Sequence, residues 1–222
     1  MSYIDFFHSE DNWHTDNDVQ LRISNGVLRN KGTATLEVNA SSVISKSTDS
    51  HLTNSIGSIN ITNSKMVRLI FKSIIGNDDF TFSVWVKPFG YTSTGACNVC
   101  EFDTIRIGCY LRDDQDGKSS IFLEQTPFTR YLRHQNGPTT NAWNHYAIVQ
   151  NGNSLNIYLN GIKSSSTYTG RLFSNADRFI FSGPIYNPVN GINGLIEDVY
   201  FTRKALWTSN FTPPTTYLPD EP

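Results

Sequence analysis

The sequence has few charged residues and no hydrophobic run long enough to span a membrane. Lys, Arg, Asp and Glu make up 17% of its 222 residues, and the formal net charge is -2. This near-neutral balance gives no electrostatic basis for binding nucleic acid or an anionic membrane. The first residues, MSYIDFFHSEDNWH, lack the basic and apolar regions of a signal peptide, so we expect the protein to fold in the cytoplasm where it is made.

Cysteine is equally scarce, with three residues in the chain: Cys97, Cys100 and Cys109. An odd number cannot all form disulfides, and we expect free thiols in a reducing compartment. Cys97 and Cys100 have the spacing of zinc ligands, but no second cysteine pair follows, so a metal site would need Cys109, His134 or His145. Cysteines that pack as small apolar side chains at strand ends are the commoner situation.

Helical periodicity is also missing from the sequence. Short apolar-rich runs alternate instead with clusters of Gly, Asn, Asp, Ser and Pro, at the spacing of strands in a sandwich. The clearest runs are SINIT, MVRLIF, FTFSVWVKP, NVCEF, TIRIGCYL, SIFLEQ, WNHYAIVQ, SLNIYLN, RFIFS and LIEDVYF. This pattern predicts an all-β antiparallel sandwich.

Alternation within three of these runs assigns residues to the two faces of a sheet. In FTFSVWVK the phenylalanines and valines share one face, which should be the core face, and Trp85 lies on the other. In SLNIYLN the leucines and the isoleucine share the core face, and Tyr158 is opposite. The pair Asn151-Gly152 predicts a hairpin between WNHYAIVQ and SLNIYLN. WNHYAIVQ is apolar on both faces, as expected for a central strand that is covered on both sides.

Three blocks carry a resemblance to a known family: DDFTFSVWVKP, AWNHYAIVQNGNSLNIYLNG and NGINGLIEDVYFTRKAL, in that order. Together they make residues 56 to 218 similar to the laminin-G-like, concanavalin A-like lectin/glucanase domain. Each block matches a sequence feature of the family. The first is a strand that ends in Trp-Val-Lys-Pro, the second a strand that begins at a Trp and continues into an Asn-Gly hairpin, and the third an acidic strand followed by Arg-x-Ala-Leu. The resemblance implies a jelly-roll sandwich of two curved antiparallel sheets.

The ending KALWTSNFTPPTTYL is similar to the end of such domains in bacteriophage virion proteins. Leu206, Trp207 and Phe211 could hold the chain end against a sheet, and Pro213-Pro214 would stop any helix. The resemblance implies a non-enzymatic virion protein, capsid-decorating or tail-associated, that stabilises the particle, adheres to host glycans, or both. Its partners would be other virion proteins, and trimers are usual for such appendages. The alternatives are a free bacterial glycan-binding module and a glycan-degrading enzyme.

The enzyme alternative depends on the stretch Glu101-Phe102-Asp103-Thr104-Ile105-Arg106. Laminarinase-like hydrolases of this fold carry Glu-x-Asp-x-x-Glu or a close variant on one strand. Retaining hydrolysis needs two carboxyl groups about 5–5.5 Å apart, one of which protonates the leaving group. Here Arg106 or Thr104 stands in place of the second Glu, and a guanidinium is not a general acid at neutral pH. We therefore expect no catalytic residues and no hydrolysis.

The candidate calcium ligands are Asp113, Asp114 and Asp116, which lie close to Gly117 in the sequence. Three carboxylates beside a glycine are typical of calcium loops, and some laminin-G-like domains hold calcium at the rim of the sandwich. The EF-hand frame fails, because Arg112 falls at its first position and Leu123 at its last. A solvated hairpin turn accounts for the same residues, so no cofactor is required and calcium remains an alternative.

Trp85, Tyr158 and His145 are the candidate glycan-binding residues. Lectins bind sugars by stacking aromatic rings and by hydrogen bonds at a concave sheet or a loop rim. Trp85 and Tyr158 lie opposite the inferred core face, where they could line such a surface. The alternative is that the N-terminal arm or a loop packs over them.

Residues 1–50 are more polar than the rest and lie outside the resemblance, which suggests an arm that precedes the jelly-roll domain at 51–222. The acidic, aromatic tip near Phe6, Phe7 and Trp13 could dock onto another virion protein. VQLRISNGVLRN could instead form an accessory hairpin of the sandwich around Asn25-Gly26.

Overall fold

Regular structure in the described part of the chain consists of β-strands. The computed structural model describes residues 19–24, 27–30, 34–38, 43–53, 55, 57–62, 67–72, 78–91, 95–102, 107–123, 129–173, 178–181, 191–216 and 218. No helix occurs within these ranges, and so none that is long and apolar enough to cross a membrane. The all-β class predicted from the sequence is confirmed.

The described strands number seventeen. In chain order they are β1 (Val19–Ser24), β2 (Val27–Asn30), β3 (Ala34–Val38), β4 (Val43–Ser47), β5 (Ser58–Thr62), β6 (Val67–Lys72), β7 (Phe80–Pro88), β8 (Cys97–Phe102), β9 (Ile107–Arg112), β10 (Ser120–Leu123), β11 (Thr129–Arg133), β12 (Asn144–Asn151), β13 (Ser154–Leu159), β14 (Ile162–Lys163), β15 (Tyr168–Thr169), β16 (Arg178–Phe181) and β17 (Gly194–Thr202).

These strands form two sheets, and their recorded pairings are antiparallel. The first sheet has the order β14-β13-β12-β7-β17-β1-β2, with β15 beside β13 and β5 joining β17 to β4. The second sheet has the order β11-β10-β9-β8-β16-β6-β3. The side of each sheet that packs on the other sheet is called its core face, and the opposite side its outer face.

The core lies between the sheets, and the alternation seen in the sequence supplies it. β7 and β12 are neighbours in the register that pairs Phe82 with Ile148 and Val84 with Tyr146. These four side chains are fully buried in the main apolar cluster, because residues directly opposite on antiparallel strands point to the same face. β12 is buried on its other side as well, through Ala147 and Val149. The predicted faces of β7, β12 and β13 are confirmed.

The N-terminal segment belongs to the sandwich from residue 19 onward. β1 and β2 form the hairpin expected around Asn25-Gly26, and β1 pairs with β17 in the first sheet. β3 pairs with β6 in the second sheet, and β4 pairs with β5 in the first. The described part of the segment therefore pairs with strands of both sheets. The aromatic tip lies in residues 1–18, outside the described residues.

An irregularity in β17 affects the outer face of the first sheet. The register shifts between Glu197, opposite Trp85, and Tyr200, opposite Ser83. Asp198 lies in this bulge with a positive φ of 46°. A bulge inserts an extra residue and redirects side chains. Here Glu197 is buried beside Trp85, on the face where the chain segments described below make their contacts.

Two glycines in Asn-Gly turns give a matched stability test. Both have positive φ, 55° at Gly152 and 76° at Gly161. A Cβ on Gly152 would meet no atom within 4 Å, whereas one on Gly161 would overlap the backbone carbonyl of Phe211. We expect Gly152→Ala to cost about 1 kcal/mol for the left-handed backbone, and Gly161→Ala about 1–3 kcal/mol more because a backbone contact must also shift.

Urea denaturation of both variants measures this difference. Equal losses of unfolding free energy would show that the chain near Phe211 does not pack against Gly161.

Candidate functional site

Trp85, His145 and Tyr158 lie together on the outer face of the first sheet, but they are covered. Their exposed fractions are 5%, 1% and 0%. The ring of His51 lies 3.8 Å from that of Trp85, centroid to centroid, and Phe211 lies 5.6 Å from His145 and 5.4 Å from Tyr158. Neither Trp85 nor Tyr158 therefore offers a free ring face to a sugar.

One cover is the C-terminal strap, residues 203–216. Trp207 and Phe211 stack with ring centroids 4.0 Å apart, and the Tyr158 hydroxyl donates to the Trp207 carbonyl at 3.1 Å. The Phe211 amide donates to the Gly161 carbonyl at 3.0 Å, and the Leu206 amide donates to Thr81 Oγ1 at 2.9 Å. The predicted anchoring of the chain end by its aromatic residues is confirmed for Trp207 and Phe211.

The second cover is residues 48–53, called the crossing segment. The buried carboxylate of Glu197 accepts hydrogen bonds from the Ser50 hydroxyl at 2.7 Å, the His51 amide at 2.7 Å and the Leu52 amide at 3.4 Å. Asp49 forms an ion pair with Lys87 at 2.6 Å. Glu197 thus holds a segment about 146 positions away along the chain.

The two covers are joined to each other, since the Thr53 amide donates to the Thr215 carbonyl at 2.9 Å. The packed chain segments that the sequence offered as the alternative are therefore what the structure shows. A sugar could reach Trp85 only if the crossing segment moved away, and Tyr158 only if the strap did.

Burial also changes the acid-base behaviour of this cluster. It lowers the pKa of His145 to about 3, and the nearby His51 contributes in the same direction. Burial lowers the pKa of His51 as well, against the opposing effect of Glu197. His145 Nδ1 has no hydrogen-bond partner in the described part of the chain. The cluster therefore requires a neutral imidazole.

The outer face of the second sheet has a different composition. The register across β8 to β11 aligns two rows of residues that point away from the core. The first row is Asn98, Tyr110, Ser120 and Arg133, and the second is Glu101, Gly108, Phe122 and Arg130. The intervening residues of these strands, such as Cys100, Cys109 and Ile121, lie in the core.

These two rows, the polar rows, combine aromatic, amide, carboxyl, hydroxyl and guanidinium groups. Tyr110 and Phe122 meet edge to face at 5.8 Å, and the Arg130 guanidinium lies 4.8 Å above the Phe122 ring. The Ser120 hydroxyl is fully buried and has no partner among the described residues. The arginines are the exposed members, with 41% of the Arg133 side chain open to solvent. The other side chains of the rows are as fully covered as Trp85 is, since Asn98, Glu101 and Ser120 are 0% exposed, Tyr110 6% and Phe122 7%. Burying a polar group without a hydrogen-bond partner costs free energy, so the buried Ser120 hydroxyl is unusual.

The acidic turn after β9 is organised by arginines. Asp113 is buried; its Oδ1 accepts the amides of Gln115 and Asp116 at 3.0 Å, and its Oδ2 accepts Arg130 at 3.1 Å. Asp116 forms ion pairs with Arg130 at 3.8 Å and with Arg133. Burial raises the pKa of Asp116, but the Lys118 amide and both arginines outweigh it, so the pKa lies below the usual value.

This arrangement does not support the calcium interpretation of Asp113, Asp114 and Asp116. Two of the carboxylates already bind guanidinium groups, and the third is exposed. Among the residues that the structure describes, no group of three or more His, Cys, Asp or Glu side chains is placed to hold a metal ion. Asp113 holds this loop as a turn through the amides of Gln115 and Asp116.

The cysteines also give no zinc site. Cys97, Cys100 and Cys109 are free and buried, and all three belong to the apolar core. Burial raises the pKa of Cys97 to about 12, which disfavours the thiolate that a metal binds. Their role is to pack β8 and β9 against the first sheet.

The outer face of the second sheet also carries Glu101, the carboxylate on which the enzyme alternative depends. Glu101 is fully buried in the second polar row. Asp103, Thr104 and Arg106, which decide whether a second carboxyl group stands nearby, lie outside the described residues. Asp113 and Asp116, further along this face, have their charges engaged by arginines.

Comparison with known proteins identifies the family. A model of the concanavalin A-like lectin/glucanases superfamily matches residues 61–209, more than half of the chain. The chain belongs to this superfamily. A search of the curated proteins found no match.

Several solved structures resemble the chain at low sequence identity. Domain 4 of AbnA, an extracellular arabinanase from Geobacillus stearothermophilus in complex with arabinotriose, aligns with a TM-score of 0.64 and 18% identity over 86% of this chain and 95% of that one. The cellulose induced protein Cip1 aligns with a TM-score of 0.55 and 12% identity over 78% and 92%. Trypanosoma rangeli sialidase aligns with a TM-score of 0.52 and 9% identity over 86% and 31%. At these identities the likeness shows the fold alone.

Sequence reasoning missed most of the polar rows of this concanavalin A-like domain. Asn98 was considered only as the interior of a possible zinc motif, and Tyr110, Ser120 and Phe122 not at all. A signal was present in β9, where Ile107, Cys109 and Leu111 alternate with Gly108, Tyr110 and Arg112, whereas SIFL is apolar at three consecutive positions and gives no alternation. A register shift in β8 between Asn98 and Cys100 hides the alternation there.

The buried imidazole gives a pH prediction for this domain. The pKa of His145 is depressed in the folded state, so below about pH 6.5 the unfolded chain takes up a proton that the folded chain does not. His145 alone should therefore lower the unfolding free energy by about 1.4 kcal/mol per pH unit as the pH falls from 6.5 towards 4.5, in addition to the contributions of His51 and His134.

The measurement is urea denaturation across this pH range for the wild type and His145→Phe, which keeps a ring in the cluster. The variant should show a slope smaller by about one proton, because His51 and His134 still titrate in the same direction. Identical slopes would show that His145 is protonated in the folded protein.

Proposed function

We propose that this protein is a non-enzymatic, glycan-binding component of a bacteriophage virion. The glycan lies along β11, the edge strand of the second sheet. The observation that carries the binding role is the pair of partly exposed arginines on β11, Arg130 and Arg133, which the acidic turn holds in place.

The chemistry of this face suits a sugar better than that of the first sheet does. Sugar hydroxyls need donors and acceptors held in place, and sugar C–H faces need apolar or planar surfaces. Arg130 and Arg133 supply exposed planar guanidinium groups, held from beneath by Phe122 and by Asp113 and Asp116. Side chains held in this way lose little further freedom when a ligand binds, which favours affinity.

The similar structures support the same role at the level of the fold. Domain 4 of the arabinanase is described in complex with arabinotriose, an oligosaccharide. That domain is nearly the length of this chain, since the alignment covers 95% of it. A module of this size and fold can therefore bind a glycan.

Binding without hydrolysis is supported by the carboxylates. Retaining hydrolysis needs two carboxyl groups about 5–5.5 Å apart. Glu101 has Gly108 beside it on β9, and the sequence places Arg106 or Thr104 where the laminarinase-like enzymes have their second Glu. The runner-up function, glycan hydrolysis, would need a second carboxyl group beside Glu101, for which the sequence offers Asp103.

Assembly into a virion is supported by the strap. Its sequence is similar to the closing segment of such domains in phage virion proteins, and its aromatic residues pack as that similarity implies. In this proposal the protein decorates the capsid or belongs to the tail, its partners are other virion proteins, and it assembles as a homo-oligomer, by analogy a trimer.

A matched pair of arginine variants tests glycan binding. Arg133→Gln removes an exposed guanidinium from the polar rows, and we expect affinity to fall about tenfold or more through loss of charge-assisted hydrogen bonds. Arg203→Gln is the control, because Arg203 is equally exposed at 38% and also faces an aspartate, Asp78, at 3.7 Å, but lies in the strap. A glycan array followed by titration of the best ligand measures both.

Equal losses in the two variants would contradict the assignment to the second sheet. The same samples are assayed for release of reducing sugar. Release by the wild type that disappears in Glu101→Gln would replace the binding function with hydrolysis.

Truncation tests the virion role. Deleting residues 1–14 removes the aromatic tip and leaves every described strand intact, so we expect a folded protein that no longer joins particles. The measurement is the number of copies of the truncated protein per virion, in particles purified from infections in which it replaces the wild-type protein. Circular dichroism checks that the truncated protein is folded. Normal incorporation of the truncated protein would show that attachment uses the sandwich itself.

A further inference from the structure

The part of the strap that covers the first sheet has no titratable group of its own. Residues 205–216 contain no Asp, Glu, His, Lys, Arg, Cys or Tyr. The charged groups beside them are Arg203, Lys204 and Lys163, whose Nζ donates to the Thr208 carbonyl at 3.2 Å. Lysine and arginine side chains do not ordinarily titrate between pH 7 and pH 5. A response of the strap to acid would therefore have to come from the surface beneath it.

His145 lies on that surface, under the aromatic rings of the strap. The rings of Trp207 and Phe211 both meet its imidazole edge to face, with centroids 5.6 Å away. The side chain of His145 is 1% exposed, and its Nδ1 has no hydrogen-bond partner among the described residues. A proton on this imidazole would thus place a charge, without water, beneath two aromatic rings.

Neither β7 nor β13, the strands on either side of His145, contains a carboxylate. From β7, Trp85 meets the imidazole edge to face at 5.0 Å, and Lys87 follows two positions further along the same face. From β13, Tyr158 stays protonated, because burial raises its pKa to about 12. Just after β13, Asn160 Oδ1 accepts the His145 amide at 2.8 Å. These strands offer an imidazolium no counter-charge.

The carboxylates of β17 are separated from His145 by the whole of β7. Glu197 lies opposite Trp85 and already accepts three hydrogen bonds from the crossing segment. Asp198 follows it in the bulge. In the crossing segment, the carboxylate of Asp49 is in an ion pair with a lysine. A charge on His145 would therefore stay unpaired while the strap is closed.

The other histidine of the cluster, His51, has a different setting. Its ring lies on Trp85, in the crossing segment. Burial lowers the pKa of His51, whereas the charge of Glu197 raises it, so a protonated His51 has a carboxylate beside it. Acid therefore adds an attraction that holds the crossing segment in place, but it weakens the packing of the strap on His145.

We propose that protonation of His145 releases the strap from the first sheet while the sandwich stays folded. The strap is then an acid-operated cover of the apolar surface formed by Ala147, Val149 and Tyr158. Once the strap has left, the imidazole reaches water and can carry its charge. The crossing segment remains bound through Glu197. Glycan binding along β11 is not required for this release.

The size of the effect follows from the protonation of His145 in the two forms. With the strap closed the pKa of His145 is about 3. With the strap open we expect the ordinary value of about 6.5. Because the open form has the higher pKa, acid favours it between about pH 6.5 and 3 and has little effect above pH 6.5. The open population should therefore rise about 25-fold from pH 7 to pH 5.

The test places a thiol beneath the strap with the variant Val149→Cys. Val149 is 1% exposed, and dipyridyl disulfide, which reacts with thiols in acid, labels the introduced thiol when the strap leaves. Cys97, Cys100 and Cys109 are buried in the core and are labelled when the sandwich itself opens. Mass spectrometry of the peptides separates the four sites, and each rate is divided by that of a free cysteine at the same pH.

The labelling rate of the introduced thiol should rise about 25-fold from pH 7 to pH 5, while the native thiols react more slowly at both. Adding His145→Phe, which keeps a ring but accepts no proton, should abolish the rise. His145→Gln replaces it if that variant does not fold. His51→Gln is the matched control, since it removes the other histidine of the cluster and should keep the rise. Ala147→Cys is a second reporter beneath the strap.

Three results would overturn the acid-operated strap. Equal labelling of the introduced and native thiols would show that the strap leaves only when the whole domain unfolds. A rate that does not change with pH, or a rise that persists without His145, would remove the role of its imidazole. Loss of the rise in His51→Gln would assign the response to the crossing segment instead.

Discussion

The two-sided burial of β12 is the constraint on which the rest of the structure depends. Tyr146 and Ile148 pack on the core face of the first sheet, while Ala147 and Val149 need cover on its outer face. A β-sandwich buries only one face of each sheet, so an apolar outer face must receive cover from elsewhere in the chain. The strap and the crossing segment provide it.

This cover gives the outer face of the first sheet a structural role. Its aromatic residues stabilise the fold and tie the chain end to the sandwich. On the outer face of the second sheet, the inner members of the polar rows are also buried, and the acidic turn positions the exposed Arg130 and Arg133.

Glu197 connects the bulge in β17 to the crossing segment. Its carboxylate is buried by the bulge in β17 and is satisfied by three groups of the crossing segment. A buried carboxylate without such partners would cost several kcal/mol, so the crossing segment and the bulge require each other. The imidazoles of His51 and His145 lie in the same cluster, which makes the outer face of the first sheet the acid-sensitive part of the molecule.

Much of the architecture could be predicted from the sequence, because strand alternation and Asn-Gly turns are local properties of the chain. Alternation between residues two positions apart was enough to assign the faces of β7, β12 and β13. The same pattern identified nearly every quoted run as a strand. The resemblance blocks added the family and the jelly-roll fold. By the same reasoning, Trp85 and Tyr158 were correctly placed opposite the core.

Only the tertiary structure decided what lies above those residues. The contacts that cover Trp85 and Tyr158 join positions 34 to 53 residues apart or more, and the bond between His51 and Glu197 spans 146. The acidic turn likewise has the composition of a calcium loop, but in the folded protein β11 places Arg130 and Arg133 against its carboxylates. Alternation along a strand determines which way a side chain points, but exposure and charge balance depend on which distant segment packs against it.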